Sequence, residues 1–135
     1  MLYTTYFAML NKLPDNVIPI SICGKAPEWY TGLQYKKLAP KYEFFMKWKE
    51  TGDNDYYIKC FNEQVLDKLD VALVLADLQL KLPYDIREEM QCPVHRDSLY
   101  HIALICYEQP EDFCHRHLVA DWLCKNGIEC TELDI

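Results

Sequence analysis

The chain has 135 residues, 50% of them hydrophobic and 26% charged, which is the make-up of one folded domain with one core and excludes a disordered or low-complexity chain. A formal net charge of −7, from 21 acidic and 14 basic residues, excludes strong non-specific binding of nucleic acid by the surface as a whole. No apolar run reaches the roughly 18 residues of a membrane span, and Met1-Leu2-Tyr3-Thr4-Thr5 lacks the layout of a signal peptide, so a soluble, cytoplasmic protein with no membrane partner is expected.

Met1 to Ala8 is rich in β-branched and aromatic residues, and Ile18 to Cys23 is an apolar run closed by Gly24. Both read as strands, separated by the turn chemistry of Pro14-Asp15-Asn16. An amphipathic helix is predicted from Pro40 to Glu50, with Phe44, Phe45 and Trp48 on its apolar face and Gly52 beyond its end. From Asp55 to Leu82 the spacing of Tyr57, Phe61, Val65 and Leu69, then of Val74, Leu75 and Leu78, predicts two helices or one kinked at Asp70. Pro83 to Asp97 reads as a long connection with one helical turn at Ile86 to Met90.

His101 to Tyr107 is a continuous apolar run of strand length, the pattern of a strand buried on both faces of a parallel sheet. A helix follows, with Glu111 and Asp112 expected in its first turn, Leu118, Val119, Trp122 and Leu123 on its apolar face, and Lys125-Asn126-Gly127 as its stop. Ile128 to Leu133 is the closing strand. Strand, helix and strand make a βαβ unit, so the fold class expected is a small Rossmann-like α/β domain over residues 1–135, with a mainly parallel sheet of about four strands flanked by helices.

In such sheets ligands bind at the carboxyl ends of the strands, where helix amino termini present free N–H groups. Cys114, His115 and Arg116 fall there. A thiol in an open first helical turn titrates below the roughly 8.5 of free cysteine, which makes Cys114 a candidate thiolate, with His115 as proton shuttle and Glu108 as orienting group. Arg116 and Lys25 are candidate anion clamps, and Tyr6 completes the ligand-binding set. The plainer reading is that Cys114 is a small buried hydrophobe and that Arg116 pairs with Glu108, Glu111 or Asp112.

The run from Leu104 to Leu123 resembles the carboxy-terminal motif of the domain of unknown function 488 family: an apolar strand ending in Cys-x-Glu, here Cys106-Tyr107-Glu108, then a short loop, Cys-His-Arg, and an apolar helix. The opening Leu2-Tyr3-Thr4-Thr5-Tyr6-Phe7 is similar to the first strand of that family. Where the family carries Asp-Val-Arg at the end of its next strand, this chain has Ser21-Ile22-Cys23-Gly24-Lys25, and Lys25 stands for the missing positive charge. The resemblance implies a small Rossmann-like sheet with Glu108, Cys114, His115 and Arg116 near one pocket.

Two other constellations compete. Cys92 and His95, together with Cys114 and His117, offer four ligand types of the zinc kind, an alternative to a metal-free site. Lys36 and Lys37, outside the apolar stripe of the following helix, are candidate nucleic-acid contacts. The seven cysteines are odd in number and irregularly spaced, so they are expected to be reduced thiols. With only four glycines, at 24, 32, 52 and 127, the chain has no glycine-rich phosphate loop, and no cofactor is expected.

These patterns favour binding of a small anionic ligand, a nucleotide or a nucleic-acid end, at the strand edge near Cys114-His115-Arg116, with thiolate chemistry as an option and enzyme status left open. The alternative is a non-catalytic accessory module that docks a protein partner, of the size encoded by phages or mobile elements, which the ten tyrosines would suit.

Overall fold

The structure, a computed structural model, describes residues 1–90, 100–109 and 111–133, without the side chains of 88–90. Five strands form one sheet in the order β3-β2-β4-β1-β5: β1 is Leu2–Tyr6, β2 Val17–Ser21, β3 Leu33–Gln34, β4 His101–Cys106 and β5 Cys130–Glu132. Every pairing is parallel. The apolar run of β4 takes a central place between β2 and β1, and Ile102 to Cys106 are buried throughout, as a strand covered on both faces requires. The fifth strand is β3, a two-residue edge too short to leave a pattern in the sequence. It pairs with Ile20 and Ser21 only, so Pro19 lies where β2 has β4 as its sole neighbour and a missing N–H is tolerated.

Helices α1 (Tyr42–Thr51), α2 (Asn54–Gln64), α3 (Val71–Lys81) and α5 (His115–Lys125) put Phe44, Phe61, Leu78 and Val119 against Leu2, Ile20, Ile102 and Leu104 in the larger core. The opposite face, with Val17, Ala103 and Ile105, is covered by Phe7, Leu10, Leu13 and Tyr30 from a 3-10 turn over Phe7–Lys12 and the loop after β2. The break expected at Asp70 is a true start: its carboxylate accepts from the N–H groups of Ala72 and Leu73 at 2.9 and 3.3 Å and caps α3. Gly52 and Gly127, with φ of 68° and 82°, end α1 and α5 in the left-handed region that glycine reaches without strain. Among the described residues no helix is long and apolar enough to cross a membrane.

The stretch read as a connection from Pro83 begins with α4, Tyr84–Met90, two residues earlier than the single turn expected. Residues 91–97 of that stretch, with Cys92 and His95, lie outside the described residues. The start of α5 differs as well. Glu111 and Asp112 precede the helix, which opens at His115 with Cys114 as an extended N-cap. Phe113 packs on Trp48 and Tyr57 at 5.4 and 5.0 Å between ring centres, and Cys114 is bonded to Cys106 at the end of β4. Both contacts hold the backbone against the sheet and delay the helix.

Candidate functional site

Strands β1, β2 and β4 end side by side, and the segments that leave them carry Phe7, the 22–30 loop, and Tyr107-Glu108. The carboxyl edge of the sheet therefore collects most of the residues marked by the sequence. The fold uses them differently from the way the sequence suggested.

Arg116 is completely buried. Its Nε donates to Glu132 Oε1 at 3.0 Å and its Nη2 to Glu132 Oε2 at 2.9 Å, a two-pronged pairing that suits the planar guanidinium. Nη1 donates to the carbonyl of Glu108 at 2.6 Å and lies 3.1 Å from Cys106 Sγ. The guanidinium also sits over the ring of Tyr6, 5.7 Å from its centre. Thr4 Oγ1 donates to Glu132 Oε1 at 2.6 Å, so the carboxylate is held from two elements. The expected anion clamp is thus satisfied by the chain's own carboxylate. A cation removed from water needs such a partner, and Glu132, not Glu108, Glu111 or Asp112, supplies it.

Cys114 is buried, 4% exposed, and is joined to Cys106 in a disulfide. The expectation of an open thiolate in a first helical turn is corrected on both counts, because the N-cap residue faces the end of β4. The expectation of reduced thiols holds for Cys23, Cys60, Cys124 and Cys130 and fails for this pair. His115 is buried too. Its Nε2 lies 2.8 Å from the carbonyl oxygen of Ile22 and its Nδ1 3.8 Å from Cys114 Sγ. Burial first, then the charge of Arg116, pulls its pKa down to about 4, so the imidazole is neutral near pH 7. Glu108 does not orient it: the carboxylate of Glu108 lies 3.8 Å from Cys106 Sγ instead. Cys23, at the neighbouring strand end, is buried and its thiol is pushed up to about 12, mainly by burial.

The outer part of the same edge is open. Lys25 is exposed, and its carbonyl accepts from the hydroxyl of Tyr107 at 2.7 Å. Trp29 and Tyr107, 64% and 48% exposed, meet the buried Phe7 edge to face at 5.9 and 5.0 Å between ring centres. Tyr30 closes the group against Phe7 at 5.3 Å. Lys36 and Lys37 stand on a 3-10 turn after β3, at the far side of the sheet, and Lys37 Nζ is 3.3 Å from Asp77. Asp77 also accepts from Tyr35 at 2.7 Å, a bond that, with Lys37, holds its carboxyl below the usual range. Lys36 and Lys37 are therefore not part of the Arg116 cluster. Of the metal alternative, Cys114 and His117 are described while Cys92 and His95 lie outside the described residues.

Sequence reasoning missed Glu132, Cys106, Trp29 and Tyr107. An acid inside a short closing strand was the available signal for Glu132, since β5 pairs it with Thr4 of β1. Cys106 stood in the quoted Cys-x-Glu pattern without a role. Neither the curated proteins nor the solved structures contain a match to the chain. A family model described as the active DUF488-N3 subclade, DUF488-N3a, matches residues 10–127, and the chain belongs to the DUF488 family.

Proposed function

We propose that the chain binds an anionic ligand carrying a flat ring, a nucleotide or a nucleic-acid end, at the outer part of the strand carboxyl edge. Trp29 and Tyr107 would stack on the base and Lys25 would meet the phosphate. The observation that carries this reading is the exposure of both rings beside an exposed lysine, directly outside a cluster whose own charges are already paired. Aromatic faces accept any base, and stacking is worth about 1–3 kcal/mol per base. Arg116 and Glu132 then act as a rigid floor that fixes the strand ends, with Tyr6 held beneath the guanidinium.

The test is titration of the full chain with adenosine monophosphate, a short 5′-phosphorylated single strand and inorganic phosphate, followed by tryptophan fluorescence and calorimetry. The ring-bearing ligands should bind more tightly than phosphate, and Trp29→Ala and Lys25→Ala should each weaken them. No binding by any of the three, or unchanged affinity in both variants, would overturn the reading. The complete pairing of Arg116 favours a second reading, a non-catalytic module in which Trp29 and Tyr107 anchor a protein partner. Thiolate chemistry at Cys114 would require prior opening of its bond to Cys106.

A further inference from the structure

Cys106 Sγ, Cys114 Sγ and a ring nitrogen of His115 all lie within 4.8 Å of one another, and all three residues are buried. Three observations make this more than a disulfide beside a histidine. The first concerns the tautomer. Nε2 of His115 faces the Ile22 carbonyl at 2.8 Å, and a carbonyl only accepts, so Nε2 carries the hydrogen. Nδ1 is left with the lone pair, and it is the nitrogen that faces the sulfurs, 3.8 Å from Cys114 Sγ. Metal-binding histidines are held in this way, with one nitrogen on the ion and the other donating to a carbonyl.

The second observation is the backbone spacing. The Cα atoms of Cys106 and Cys114 stand 7.5 Å apart, wider than the roughly 4.4–6.8 Å that disulfides usually span. Once the thiols are reduced, this spacing leaves room for an atom between them. The third is the surroundings. Glu108 Oε2, 3.8 Å from Cys106 Sγ, offers an oxygen from the half-buried side, and Arg116 Nη1 at 3.1 Å provides an N–H partner for a sulfur anion.

We propose that in the reduced protein Cys106, Cys114 and Nδ1 of His115 bind a thiophilic divalent ion of the zinc type, with Glu108 as the fourth ligand. Two thiolates, one imidazole and one carboxylate match the ligand set and coordination number that zinc prefers. Loading begins with the disulfide. A small dithiol supplies two electrons and two protons, opens the S–S bond and leaves as its own cyclic disulfide. Each cysteine then gives one proton to the buffer as its sulfur bonds the ion, whose oxidation state does not change. The site shares no ligand with the outer rim of Trp29, Tyr107 and Lys25, so nucleotide binding and metal binding succeed or fail separately.

The probe is cobalt(II), added to the full chain after reduction with a dithiol and removal of that reagent without air. One equivalent should bind, with a thiolate-to-cobalt charge-transfer band and tetrahedral ligand-field absorption, and zinc should bleach both. Native mass spectrometry should show one zinc on the reduced chain and none on the oxidised chain. Cys106→Ser and Cys114→Ser should each lower the charge-transfer intensity and weaken binding by more than the roughly 10–100-fold typical of losing an outer-shell partner. His115→Asn should weaken binding and leave the charge-transfer band, whereas Cys92→Ser should change nothing. Absence of the band in reduced, folded wild type overturns the proposal, as does its survival at undiminished intensity in both serine variants or its loss in Cys92→Ser. The oxidised wild type tests the same sulfurs without any substitution, so a serine variant that fails to fold does not decide the matter.

Discussion

The ends of β4 and β2 lie side by side in the sheet and are built in opposite ways. After β4 the chain turns through Glu108 into α5 and buries Cys114, His115 and Arg116, each with a partner at hand: a sulfur, a carbonyl or a carboxylate. After β2 it runs into a loop where Lys25 and Trp29 face solvent and the ring of Phe7 backs Trp29 from below. The difference teaches that charge near a strand end marks a ligand site only when the fold has not already spent that charge on itself. Arg116 was the strongest anion candidate by residue type, yet Glu132 occupies it; Lys25, the weaker one, is open.

The largest effect that would break this comparison is expected at Arg116. Removing it leaves Glu132 partly buried without its cation, so Arg116→Ala should cost about 3–5 kcal/mol in urea unfolding, while Lys25→Ala should stay within about 0.5 kcal/mol. Equal effects would erase the distinction between floor and rim. Next comes pH. The folded pKa of His115, about 4, lies below its ordinary 6.5, so the unfolded chain binds the extra proton first. The stabilisation is whole above pH 6.5 and is lost as pH falls toward 4, by roughly 3 kcal/mol at 1.36 kcal/mol per unit. Urea midpoints measured between pH 7 and 4.5 should show this slope in metal-free protein, and His115→Gln should lack it.

Smaller effects belong to the rim. Trp29→Ala should weaken nucleotide binding about tenfold, within the stacking range, and change folding stability by less than about 1 kcal/mol because the ring is mostly exposed. A large loss of stability with unchanged affinity would move Trp29 from the rim to the core. Least of all, Tyr107→Phe removes the exposed hydrogen bond to the Lys25 carbonyl and should cost no more than about 0.5 kcal/mol. Its effect on nucleotide affinity, read by calorimetry, sharpens how far that bond positions the ring.

Much of the scaffold was legible because it depends on local pattern. The unbroken apolar run of β4, the helical spacing of Phe44, Phe61 and Val119, the break at Asp70 and the stop at Gly127 are all short-range signals, and each of these features formed near its expected place. The address of the site at the strand ends was legible for the same reason: strand, turn and helix follow one another in the chain. The start of α5 was not, since helix-favouring acids at Glu111 and Asp112 lost to the packing of Phe113 and the bond at Cys114.

By itself, then, the sequence determined four of the five strands and the main helices, a mainly parallel sheet with β4 covered, and that Cys114, His115 and Arg116 lie where β4 meets α5. The tertiary structure alone decided what those residues do. In a sheet ordered β3-β2-β4-β1-β5, Thr4 of the first strand and Glu132 of the last become neighbours. That register, set by the burial of whole strands, brings the carboxylate to Arg116. It lies 16 positions along the chain from the arginine and 128 from Thr4, beyond the reach of any local pattern.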